Sequence, residues 1–239
     1  TVVWAMREAY RVAKTGRPGP VVVDLYRDVV ENQTASYEYV DPKNYCVMPE
    51  SIANDEAIDA AFDVIKANKK IALWIGNGVK LAHAQEEVKE LSRLLDAPIV
   101  CTYNGICAID TDFENLVGPR SRHGSAVTKA TIEEADCVIL IGSTLTAIST
   151  NRWEIKAKNI IQFDIVPENI GRHYPVAVGV VGDAKASVDK LNKKLKAESY
   201  VADASYKNYI FAKKEEWAKN LFQGAIVDTE ATPVPPIAL

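Results

Sequence analysis

Residues 71–78 read Ile71-Ala72-Leu73-Trp74-Ile75-Gly76-Asn77-Gly78. From Lys70 to Ile75 the run is apolar enough to form a strand covered on both faces, and the glycines behind it mark a turn. Upstream, Asn54 offers its side chain as an N-cap to a helix whose apolar residues Ile58, Ala61, Phe62 and Ile65 share one face. Downstream the alternation continues with a helix over Ala82 to Leu95, a strand over Pro98 to Cys101, a helix over Ser125 to Ala135, and a strand over Cys137 to Ile141 that stops at Gly142. Asn159 to Ile165 and Val176 to Val181 follow as strands, and a lysine-rich helix from Ala184 to Lys196 closes the series. Strands separated by helices of this length require right-handed crossovers. The chain therefore reads as α/β, with a doubly wound, mainly parallel sheet.

In such a sheet ligands bind beyond the carboxyl ends of the strands. At the first of these ends, Gly76 and Gly78 around Asn77 permit a sharp turn and close approach to a pyrophosphate. Leu81, however, stands where the dinucleotide fingerprint has its third glycine, and the next strand ends in Thr102-Tyr103-Asn104 and not in an acid. A phosphate or ribose contact and an ordinary tight turn are both open there. The later pair says more: one strand ends in Gly142-Ser143-Thr144 and the next in Asp164. A carboxylate at that point can accept hydroxyl hydrogen bonds from a ribose, or cap the turn into Pro167-Glu168-Asn169. His123, before Gly124, reads as a loop or cofactor-lining residue in preference to a general base, because no nucleophile accompanies it. The sequence holds no nucleophile elbow, P-loop lysine motif or HExxH.

The flanks carry a different signal. Val2 to Lys14 is amphipathic, with Val3, Met6, Ala9, Tyr10 and Ala13 on one face, and leads through Gly16-Arg17-Pro18-Gly19-Pro20 into Val21-Val22-Val23, read as a buried strand. One helix and one strand cannot bury that much apolar surface alone, so residues 1–30 are expected to be the end of a neighbouring domain. Residues 31–50, with Asp41-Pro42 and Met48-Pro49, read as a linker, and residues 51–198 as the main domain. Residues 199–239 read as a helical extension and connector: Tyr206, Tyr209, Ile210, Lys213, Trp217 and Leu221 fall near helical spacing with lysines as a solvated face, and Thr232-Pro233-Val234-Pro235-Pro236 is polyproline-like. Apolar surface on the first helix and around Trp217 is expected to drive self-association.

A net charge of -4 gives no electrostatic footprint for nucleic acid or an anionic membrane, and no run of apolar residues is long enough to span one. The four cysteines, Cys46, Cys101, Cys107 and Cys137, lack metal-binding spacing and are expected to be buried free thiols in a cytoplasmic protein.

Two sets of residues also carry a resemblance. Gly16-Arg17-Pro18-Gly19-Pro20-Val21-Val22-Val23-Asp24 followed by Asp28-Val29 resembles the close of the pyrimidine-binding domain in thiamine-diphosphate-dependent enzymes of the acetolactate synthase type. Ser51 to Leu195 resembles the Rossmann-like central domain of the same enzymes, and Pro233 to Leu239 the lead-in to their diphosphate-binding domain. The resemblance implies that Asp164, Ile165, Glu168, Gly182 and Asp183 hold the adenosine half of FAD, or of ADP in the oxalyl-CoA decarboxylase branch. It places Asn104-Gly105 and His123-Gly124 on loops along that cofactor. With the strand ends Gly76, Asn77, Gly78, Gly142 and Ser143, these residues make up the candidate site. One departure weighs against FAD: Ser143-Thr144-Leu145-Thr146 replaces the arginine and acidic pair of the flavin-dependent members.

The resemblance further implies a parent enzyme with thiamine diphosphate and magnesium, assembled as a homo-oligomer. The activating glutamate and the GDG…N motif belong to the pyrimidine- and diphosphate-binding domains, neither of which this sequence contains, so the chain alone is expected to be inactive. A self-standing FAD- or NAD(P)-type nucleotide-binding module and a purely architectural domain are the alternatives.

Overall fold

A computed structural model describes residues 2–31, 37–46, 51–122 and 124–223 of the chain. Helices α1 (Val2–Lys14) and α2 (Arg27–Glu31) come first, followed by a 3-10 turn at Pro42–Asn44. Helix α3 (Asp55–Lys66) starts where expected: the Asn54 side chain accepts from Ala57 N at 3.0 Å, and Ile58, Ala61, Phe62 and Ile65 are buried. Strand β1 (Ile71–Ile75), helices α4 (Asn77–Leu81) and α5 (Gln85–Leu94), and strands β2 (Ile99–Cys101) and β3 (Leu116–Pro119) follow. Then come α6 (Ala126–Glu133), β4 (Cys137–Ile141), β5 (Asn159–Asp164), β6 (Val178–Val181), α7 (Ala184–Ala197) and α8 (Ser205–Gln223).

The six strands form one sheet in the order β3-β2-β1-β4-β5-β6, every neighbouring pair parallel. Strand order reverses between β1 and β4, the topological switch point of a doubly wound fold. Alternation along β1 divides the core: Ile71, Leu73 and Ile75 face the layer of α3, α5 and α7, while Ala72 and Trp74 face α6 and α8. Both faces are covered, which is why β1 and β4 are apolar at every position and buried throughout.

Four expectations need correction. Val21-Val22-Val23 is not a buried strand: Val22 is 83% exposed, and no strand of the sheet lies beside these residues to take their backbone hydrogen bonds. The expected helix over Ala82 to Leu95 is shorter and is preceded by the separate turn α4, because His83 adopts a left-handed backbone (φ 51) between the two. β3 was not anticipated; it is short and ends at a proline, which an edge strand tolerates. The lysines of α8 are not merely solvated. Lys213 pairs with Glu134 at 2.8 Å, Lys207 with Asp96, and half-buried Lys214 donates to Leu116 O at 2.8 Å. With Tyr206 donating to Thr131 O at 2.8 Å and Ile210 fully buried, they fasten α8 to the domain. The proline-rich connector beyond it lies outside the described residues, as do positions 32–36 and 47–50 of the 31–50 linker.

The loops after β1 and β4 lock together at the switch point. Gly76 N donates to Ile141 O at 2.9 Å and Gly78 N to Gly142 O at 3.0 Å. Gly142 has φ +61, and a Cβ there would sit 2.6 Å from Gly78 Cα. Replacing Gly142 by alanine therefore adds a left-handed penalty to backbone overlap. Gly142→Ala is expected to lower unfolding stability by about 2–4 kcal/mol, measured as a fall in the urea midpoint at unchanged slope.

Candidate functional site

A cleft of about 660 Å³ opens above the carboxyl ends of β1, β2, β4 and β5, within the range of small-ligand sites. Asn77, Gly78, Leu81 and Ala82 border it after β1, and Thr102, Tyr103 and Asn104 after β2. Gly142, Ser143, Thr144, Thr146, Ile148 and Ser149 form the wall after β4; Asp164, Ile165 and Asn169 follow β5, and Asp183 and Ala184 stand at the start of α7. Gly16, Arg17 and Pro18 complete the lining from the N-terminal segment.

Asp164 is the best-supported side chain in this cleft. It is buried at the end of β5, and its Oδ1 accepts from Val166 N at 2.9 Å and from Asn169 Nδ2 at 3.1 Å. Gln162, two residues earlier, holds the same turn: its Nε2 donates to Asn169 O at 3.0 Å, and its Oε1 accepts from Gly171 N at 3.0 Å. Oδ1 is thus committed to the turn, while Oδ2 accepts no hydrogen bond among the described residues. The two roles open to this residue from sequence are compatible, one on each oxygen. Asp183 is likewise engaged on one side, its Oδ1 capping α7 by accepting from Ala186 N at 3.1 Å. Arg17 is the cation among the described lining residues.

Comparison with known proteins identifies the architecture. Residues 58–191 match the family described as thiamine pyrophosphate enzyme, central domain. The chain belongs to the thiamine pyrophosphate enzymes. It is 30% identical over 187 residues to the acetolactate synthase large subunit of Haemophilus influenzae, an alignment covering 75% of this chain and 32% of that protein. It is 32% identical over 194 residues to a probable acetolactate synthase large subunit of Methanococcus aeolicus, covering 79% and 32%. A sulfoacetaldehyde acetyltransferase of Roseovarius nubinhibens is 36% identical over 174 residues, covering 70% and 29%. The chain spans about a third of the length of these curated relatives.

Within this central domain, Asn77, Gly78, Asn104, Gly142, Ser143, Asp164, Ile165 and Asp183 all line the cleft. Gly76, Gly105, Gly124, Glu168 and Gly182 are not among its lining residues. Gly76 is part of the β1–β4 seam, and Gly105 packs beneath its loop, where a Cβ would meet Ile75 O at 2.7 Å. At Gly124 a Cβ would meet Pro119 O at 2.8 Å, and at Gly182 Ala53 N at 2.8 Å, so both serve close packing. Glu168 is exposed on a 3-10 turn, and His123 lies outside the described residues. Sequence reasoning did not single out Asn169 and Gln162, which brace Asp164, or Arg17 as part of the cleft. A polar residue inside an otherwise apolar strand was the available signal for Gln162; nothing local marked the approach of Arg17.

The cysteines are all free, but only Cys101 and Cys137 are buried; Cys107 is exposed and Cys46 half-buried, which corrects the expectation for those two. Burial pushes the Cys101 thiol up to about 11 and the Cys137 thiol up to about 12. Both stay protonated through neutral pH and are poor nucleophiles. Iodoacetamide at about pH 8 is expected to modify Cys107 and Cys46 in the native chain, and Cys101 and Cys137 only after denaturation, read by intact mass.

Proposed function

We propose that this chain is the nucleotide-holding central domain of a thiamine-diphosphate-dependent enzyme of the acetolactate synthase type, and that its switch-point cleft takes an adenine nucleotide, as ADP or the adenosine half of FAD. The observation that carries this reading is Asp164: one oxygen is locked to its own turn, and the other accepts no hydrogen bond among the described residues while the side chain lines the cleft. A ribose supplies two adjacent hydroxyl donors suited to such an acceptor. The cleft volume suits a nucleotide, and Arg17 offers the cation for its phosphates that the loop after Gly142 lacks. Ser143 and Thr144 add hydroxyls on the same wall. In this reading the nucleotide braces the domain and takes no part in bond making.

The chemistry of the whole enzyme, decarboxylation of a 2-oxo acid and carboligation, belongs to thiamine diphosphate and magnesium held by the pyrimidine- and diphosphate-binding domains. Among the described residues of this chain there is no grouping of three or more His, Cys, Asp or Glu suited to a metal ion, and no helix long and apolar enough to cross a membrane. The partners in this reading are those two domains and further copies of the whole enzyme. A purely architectural role is favoured by one observation: Gly76, Gly78 and Gly142 spend their lack of side chains on the seam and not on an open approach to a pyrophosphate.

Calorimetric titration with ADP and with FAD separates the two. Binding of either, weakened about tenfold or more in Asp164→Ala, supports the nucleotide site; no heat from either leaves the architectural reading. The chain supplied with thiamine diphosphate, magnesium and pyruvate is expected to give no turnover, and measurable consumption of pyruvate would overturn the assignment of catalysis to other domains.

A further inference from the structure

Each of the loops that follow β3, β4 and β5 carries an arginine without a partner. Arg122, Arg152 and Arg172 are exposed, and among the described residues none of them forms an ion pair or donates a side-chain hydrogen bond. Most arginines elsewhere are engaged: Arg7 donates to Glu38 O at 2.6 Å, Arg11 pairs with Glu8, Arg27 with Glu31 at 2.7 Å and Arg93 with Glu114 at 2.7 Å. The backbone gathers the three loops at one corner. Arg122 N donates to Ile148 O at 3.1 Å and Arg152 N to Ala147 O at 2.7 Å, adjacent carbonyls of one turn. The Trp153 ring lies 6.0 Å from that of His173, the residue after Arg172, and Ile155 N donates to the Tyr174 hydroxyl at 3.5 Å.

The middle loop is held in a costly shape. Asn151, Arg152 and Trp153 all adopt left-handed backbones, with φ 51, 63 and 64; asparagine tolerates this, whereas arginine and tryptophan seldom do. Trp153 N donates to the Thr150 hydroxyl at 2.9 Å, Glu154 N to Thr150 O at 3.1 Å and Asn151 Nδ2 to Glu154 Oε2 at 2.7 Å, so the turn is fixed by its own bonds. Trp153 is left 52% exposed. Backbone kept in this region by its surroundings is a mark of binding segments. Glu154 and Glu168, acids on the loops after β4 and β5, form no ion pair among the described residues, so the arginines are not neutralised from within. Neither the three arginines nor Trp153 lines the cleft.

We propose that this corner is a docking site for an acidic segment of another protein, its carboxylates taken by Arg122, Arg152 and Arg172 and an apolar side chain laid against Trp153. Complementary charge is the argument. Guanidinium forks bind carboxylates through two parallel hydrogen bonds, and an exposed tryptophan beside arginines is the composition of interface hot spots. The net charge of -4 repels an extended polyanion such as nucleic acid, whereas a short acidic segment meets only the local field of the corner. The site uses no residue of the nucleotide reading and stands apart from it.

The test is fluorescence anisotropy of a labelled, disordered peptide of glutamate, glycine and leucine, titrated with the 239-residue chain. Docking predicts saturable binding that weakens as salt is raised. It also predicts a loss of about threefold in each of Arg122→Gln, Arg152→Gln and Arg172→Gln, and of about tenfold in Trp153→Ala. Arg27→Gln, which removes the same charge from an exposed position elsewhere, leaves binding unchanged. The three arginines are exposed and unpartnered, so their variants keep the fold, which circular dichroism verifies. Absence of binding overturns the proposal, as does equal weakening by Arg27→Gln, which reduces the effect to net charge. Equal binding of a peptide with lysine in place of glutamate overturns it too. Tighter binding of a single-stranded oligonucleotide through the same arginines overturns the protein partner.

Discussion

The β1 and β4 loops approach so closely that no side chain fits between them, and the remaining architecture is arranged around that approach. Two parallel strands leave the switch point toward opposite faces of the sheet, so their loops must either diverge and leave a crevice or meet. Here they meet, backbone to backbone, through Gly76 and Gly78 against Gly142. The cleft beside this seam is lined by the loops after β1, β2, β4 and β5. The seam also fixes where Ser143 and Asn77 stand, because each directly follows a glycine that cannot move without overlap.

Polar groups then divide the work by depth. Gln162 and Asn169, both buried, brace the turn: Gln162 bonds backbone at Asn169 and Gly171, and Asn169 donates to Asp164. Asp164 lies between, half committed. Arg17 is exposed and has no hydrogen-bond or ion-pair partner among the described residues. Such a gradient keeps buried polar groups satisfied, where an orphan is costly, and reserves unsatisfied capacity for positions that solvent or a ligand can reach.

Much of this was legible because a parallel sheet buried on both faces needs unbroken apolar strands at its centre, and β1 and β4 have them. The N-cap at Asn54 and the acid ending β5 were readable for local reasons, since both depend on residues within five positions. What escaped depended on distance along the chain. β3 pairs only through β2, and its Gly118 and Pro119 hide it from any apolar pattern. Val21 to Val23 look like a strand, but strand character is realised only beside another strand, and none is there. The arrival of Arg17 at a cleft whose nearest wall residue is sixty positions onward is set by packing that no local pattern records. The split helix around His83 belongs to the same class, because a left-handed residue without glycine or asparagine gives no warning in sequence.

The anchoring of α8 has a consequence for how the chain behaves among its neighbours. Strand β3 forms one margin of the sheet, and an exposed margin is a row of unpaired peptide groups on which a strand from another molecule can grow. β3 is four residues long, ends in proline, and has its Leu116 carbonyl occupied by the half-buried ammonium of Lys214. A helix from the far end of the chain therefore serves as a hem for the sheet, closing it to foreign strands.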